Sequence, residues 1–267
     1  MSRPLDYLDY LARESARFAD ALREAAPDAP VPPCPDWAAD DLLWHLAEVQ
    51  WFWGTIVREG VTAASTLEEL ERPNRPTDRA GLLAFYERAS GELGEVLAAH
   101  PPETVAWTWA EEQTVRFIRR RQAHEALIHR VDAEITAGNR TPMDAQLSAD
   151  GVDEALRIMY GGVPEWGEFT PDSERTVRLQ STDTDGSWFV TLGRFTGTDP
   201  SDNRFRDEPD IHPADTDPGG EAAATVSGTA ADLDCWLWHR PTIGAVTRSG
   251  DTGVLEVFES TIAPGID

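Results

Sequence analysis

The chain has 267 residues, enough for one large domain or two of ordinary size, and at 40% hydrophobic it can bury a proper core. Its formal charge of -25, from 23 basic and 48 acidic side chains, disfavours nucleic acid and anionic membrane as partners and reads as a solvated acidic surface. Cys34 and Cys235 form neither a disulfide framework nor a CxxC pair, no apolar run approaches the ~18 residues that span a bilayer, and MSRPLDYLDYLARESARF lacks a signal-peptide core, so a reducing cytoplasm is the expected location.

The first half is helical in pattern. Leu8, Leu11, Phe18 and Leu22 share one stripe, and the prolines of APDAPVPPCPDW end that helix. A second helix begins near Ala38, with Leu42, Leu46, Val49, Trp53 and Ile56 in steps of four and three. A third carries Leu82, Tyr86, Ala89, Leu93 and Val96 and stops at His100. A fourth runs from about Glu112 to Thr136, closed by Gly138 and Asn139. Four helices of this length suit a four-helix bundle.

The character changes after Thr141. Ser148 is placed to cap a short helix through Tyr160. Thr176–Ser181 and Ser187–Arg194 read as strands around a turn at Asp183–Gly186, the second with Trp188, Val190 and Leu192 alternating with polar residues. Residues 196–222, rich in Asp, Pro and Gly, are expected to form a long exposed acidic loop. A strand at Ala223–Ser227, a helix from Ala230 to His239, a strand at Ile243–Arg248 and a final helix capped by Asp251 complete a small α+β domain. The expected boundaries are 1–145 for the helical bundle and 146–267 for the second domain with its linker helix.

Chemistry concentrates on the fourth helix. Ile118, Gln122, Glu125, His129 and Asp132 form one stripe, polar where a core-facing stripe would be apolar. The neighbouring stripe, with His124, Ile128, Val131 and Ile135, looks like ordinary core, so the pattern leaves open which way the polar stripe faces. Residues four apart lie roughly 40° apart around a helix, so Glu125 and His129 can reach one cation. His124 and His129 are roughly 140° apart and cannot, which rules out an HExxH protease motif. A catalytic zinc usually takes three protein ligands. The second helix offers His45, whose stripe mates are apolar; spacing alone does not assign it. A His–Glu–His set suits Zn²⁺ and also Ni²⁺, Fe²⁺ or Co²⁺.

Three motifs resemble the mycothiol-dependent maleylpyruvate isomerase family: VPPCPDWAADDLLWHLAEVQWFWGTIV, then RRRQAHEALIHRVDAE with its HExxxHRxDAE pattern, then ADGVDEAL at 149–156. They lie in the family's order across residues 31–156. GTAADLDCWLWHRP is similar to its second domain. The resemblance implies a DinB-like four-helix bundle with a divalent metal, followed by an α+β domain like sterol carrier proteins. It carries ligand roles onto His45, Glu125 and His129. It also implies mycothiol, the small thiol of actinobacteria, as co-substrate. The metal would favour the nucleophilic thiolate, which adds to an activated double bond and leaves after rotation. Arg240, in WLWHRP, is the candidate to hold a substrate carboxylate.

Around this set, Asp132 is placed to orient a ligand imidazole or to make a surface pair. Arg119, Arg120 and Arg121 read as a solvated basic face, or as contacts to an anionic substrate. Cys34 reads as structural beside Trp37, and Trp44, Trp51, Trp53, Trp107 and Trp109 as mostly core. No phosphate loop, GxSxG elbow or Rossmann fingerprint is present. The expected function is thus a metal-dependent isomerase or S-transferase acting on a small electrophile, as a monomer or small homo-oligomer. Two alternatives stay open: a hydrolase using metal-activated water, with Asp132 or Glu48 as base, and a non-catalytic metal-binding module.

Overall fold

The structure, a computed structural model, describes residues 4–215, 219 and 221–266. It divides into two compact units, Met1–Pro142 and Met143–Asp267.

The first unit contains four long helices: α1 (Tyr7–Glu24), α2 (Ala39–Arg58), α3 (Arg79–Ala99) and α4 (Val115–Ala137), with one 3₁₀ turn at Ala64–Glu69. Side-chain caps start three of them. Asp6 accepts from the Asp9 amide, Asp78 from Gly81 and Thr114 from Phe117. The last cap places the start of α4 three residues later than the expected Glu112. Helix α1 packs chiefly along α4, and α2 along α3. Phe18, Leu22, Leu42, Leu46, Leu93 and Ile118 are fully buried between them.

Helix α4 is buried on almost every side from Val115 to Glu134, as expected of a helix at the centre of a unit rather than on its surface. That settles the stripe the sequence left open: its polar side faces protein. Part of that polarity is structural. The fully buried Arg130 donates to Glu14 on α1 at 2.8 Å and to Glu134 at 2.9 Å, and Arg17 reaches Glu134 at 3.1 Å. Leaving any one of these charges unpaired would be costly, so the set fixes α1 against α4.

The second unit opens with α5 (Ala145–Glu154), which continues as one π-helical stretch, Ala155–Tyr160. Its cap is Asp144, accepting from Gln146 and Leu147, not the expected Ser148, which lies inside the helix and is buried. Five strands follow in the order β3-β2-β1-β4-β5: β1 (Gly167–Ser181), β2 (Ser187–Thr198), β3 (Arg204–Pro213), β4 (Ala224–Gly228) and β5 (Thr247–Gly250). Strand β4 runs parallel to β1 and all other pairs are antiparallel. Helices α6 (Ala230–Leu237) and α7 (Thr252–Ile262) supply Leu233, Leu237, Val254 and Phe258 to a core with Val177, Leu179, Val190, Leu192, Ile211 and Val226. Asp251 caps α7 as expected.

Two expectations are corrected here. Most of 196–222 is not loop: β2 extends to Thr198, and β3 pairs with it from Arg204 to Pro213. Residues 216–218 and 220 of that segment lie outside the described residues. The strand expected at Ile243–Arg248 shrinks and shifts to Thr247–Gly250. The amides of Ile243 and Gly244 bond instead to Asp232 Oδ1, at 2.8 Å each. That carboxylate ties the turn to the start of α6, and Thr229 Oγ1 donates to its other oxygen at 2.7 Å.

No helix among the described residues is long and apolar enough to cross a membrane.

Candidate metal centre

Among the described residues, one group of His, Cys, Asp and Glu side chains converges tightly enough to hold a metal ion: His45, Glu125 and His129. Helix α2 supplies the first and α4 the other two, one turn apart. His45 Nε2 lies 3.1 Å from His129 Nε2 and 3.5 Å from Glu125 Oε1, and Glu125 Oε1 lies 3.1 Å from His129 Nε2. A tetrahedral ion with ligands at about 2.0–2.1 Å spaces its donors about 3.3–3.4 Å apart. The three atoms therefore already stand near the corners of one face of such a tetrahedron, and the residues fit a divalent cation.

Each α4 residue in the triad is held from behind. His129 Nδ1 lies 3.1 Å from Asp132 Oδ2, and Asp132 is fully buried. The carboxylate fixes Nδ1 as the protonated nitrogen and turns Nε2 toward His45 and Glu125. Asp132 is therefore no surface pair. Glu125 Oε2 accepts from Arg121 Nη2 at 3.0 Å, and Arg121 exposes only 4% of its side chain. On α2, the Trp37 ring packs 4.8 Å from the His45 ring.

Protons follow this geometry. Burial works against ionising Glu125, but the hydrogen bonds of His129 and His45 and the charges of His129 and Arg121 outweigh it and hold the carboxyl well below its usual range. Burial also disfavours an imidazolium at His129. Its bonds to Asp132 and Glu125 prevail, and its pKa is pushed up to about 9. Without a cation, His129 Nε2 thus keeps a proton where the metal would sit.

The arginine run does not form one solvated face. Arg121 is buried against Glu125, and Arg119 donates to the carbonyls of Leu97 and His100 at 2.7 Å each, closing the end of α3. Arg120 is half-buried. Glu48, weighed as a base, accepts from Arg72 at 3.0 Å. His124 is buried beside the Tyr7 ring, and Cys34 is a half-buried cysteine that forms no disulfide among the described residues. Of the tryptophans, Trp53 is core and Trp44, Trp51 and Trp107 are half-buried, but Trp109 is 50% exposed. Sequence reasoning passed over Arg121 as part of the triad's support; the signal was its place four residues before Glu125.

Arg240 belongs to the second unit. The chain reverses after α6 at His239, whose φ of +56° lies in the left-handed region. The Arg240 amide then donates to Cys235 O at 2.7 Å, and Nη1 to Trp238 O at 2.7 Å.

Two family models match the chain: the mycothiol maleylpyruvate isomerase N-terminal domain over residues 8–134 and the MDMPI C-terminal domain over residues 146–256. Among solved structures, a mycothiol-dependent maleylpyruvate isomerase and a histidine-to-alanine mutant of it are similar. Each is 13% identical with a TM-score of 0.55, covering 92% of this chain and 93% of the other. At that identity the likeness concerns the fold, a helical unit followed by a sheet unit with helices. No curated protein matches the chain. Matched by both of the family's models across most of its length, the chain belongs to the mycothiol-dependent maleylpyruvate isomerase family of enzymes.

Proposed function

We propose that this protein is a divalent-metal-dependent enzyme that uses a small thiol of the mycothiol type, as an isomerase or S-transferase, on an electrophilic small molecule. The observation that carries the reading is the convergence of His45 Nε2, Glu125 Oε1 and His129 Nε2 within 3.1–3.5 Å of one another on two helices of one bundle. These three residues would hold the cation, with zinc the first candidate. A cation held there stabilises the thiolate form of a bound thiol, which is the nucleophile.

The chain's own residues do the rest. Asp132 keeps His129 in the tautomer that presents Nε2. His45 completes the donor set from α2, steadied by the Trp37 ring. Arg240 holds a substrate carboxylate through its guanidinium fork. Family membership and the fold likeness support the thiol; the donor set supports the metal.

The test is turnover of small electrophilic acids by metal-loaded protein, with and without mycothiol. The reading expects activity that needs both. Equal activity without thiol would move the assignment to metal-activated water, and none with either would leave a binding module.

A further inference from the structure

Glu125 has two oxygens, and the structure divides them. Oε1 faces both imidazoles, at 3.1 and 3.5 Å, while Oε2 is engaged by Arg121 Nη2 at 3.0 Å. Carboxylate and guanidinium are both largely shielded, with 16% and 4% of their side chains exposed. A carboxylate with both oxygens free can close on a cation with both, taking up an extra coordination position. One whose second oxygen already accepts a charge-assisted hydrogen bond from a buried guanidinium does so less readily, because that bond draws on the oxygen's lone-pair density and holds the carboxylate's orientation. The spacing that achieves this is local: Arg121 precedes Glu125 by one helical turn, so both partners of the clamp lie on α4.

We infer that Arg121 is a positioning residue: it engages Glu125 Oε2, so that Glu125 gives a cation one oxygen and the site stays open to a fourth ligand. The inference rests on the metal reading above.

The experiment replaces the native metal with Co²⁺, whose visible bands are intense in four-coordinate sites and weak in five- or six-coordinate ones. Wild type with Co²⁺ and no thiol is expected to give intense bands. Arg121→Met is expected to weaken those bands and to lower mycothiol affinity about tenfold or more, while Co²⁺ affinity holds or tightens. Arg121→Lys, which keeps a buried donor and charge, is expected to restore both. Weak bands in loaded wild type would overturn the inference even if the methionine variant did not fold. So would a methionine variant with unchanged bands and unchanged thiol affinity. Failure of wild type to bind Co²⁺ at all would instead remove the metal reading itself.

Discussion

At His129 the same imidazole bonds explain two opposite pH trends. Its pKa in the folded, metal-free protein, about 9, lies above the ordinary 6.5. The stability this contributes is fully present below the unfolded imidazole's value and is lost as pH rises through about 9. Metal uptake runs the other way, because the cation must displace the Nε2 proton. Apparent metal affinity should therefore climb with pH and level off near 9, with a proton released per ion bound below that. Calorimetric titration in buffers of different ionisation enthalpy measures the release; a pH-independent affinity would contradict the proton's placement. Gln122 makes a separate case. It is 1% exposed, and neither amide atom has a hydrogen-bond partner among the described residues. An unpaired buried amide is costly, so Gln122→Met, which keeps the shape, should raise stability by about 1 kcal/mol. Denaturant unfolding checks this, and a loss of stability would show the amide to be satisfied.

At the scale of elements, the ends of helices are where local chemistry is most exposed to test. Helix α4 ends at Gly138, whose φ of +73° is left-handed and whose amide bonds back to the carbonyls of Glu134 and Ile135. Gly138→Ala has open space around the added Cβ, so its cost is conformational alone, about 1 kcal/mol in denaturant unfolding. This stop was legible in the sequence, as were the four long helices, because periodicity and capping residues are local signals. The pairing of Glu125 with His129 was legible for the same reason. The direction of the polar stripe was not, since it depends on α4 being surrounded. Strand β3 was hidden by its composition. Exposed Asp, Glu and Arg line much of it, and Pro209 and Pro213 sit in its register. Charge and proline are what a sheet edge tolerates and what protects it from pairing further. Strand β5 was misplaced because Asp232, far back in the chain, claims the amides of Ile243 and Gly244.

Over the whole chain, the proposed roles fall in different units. The proposed donor set lies entirely on α2 and α4 of the first, while the proposed substrate anchor, Arg240, lies after α6 in the second. Arg240→Ala should therefore leave metal content unchanged and raise the KM for a carboxylate substrate about tenfold to a hundredfold. Parallel loss of metal would contradict that division. The central claim is tested most directly by one measurement: isothermal titration of mycothiol into protein whose metal content has been determined, for wild type and His129→Ala. The account predicts one divalent ion per wild-type chain with metal-dependent thiol binding, and loss of both in the variant. Thiol binding that survives removal of the metal, or a metal-loaded wild type that binds no thiol, would contradict it.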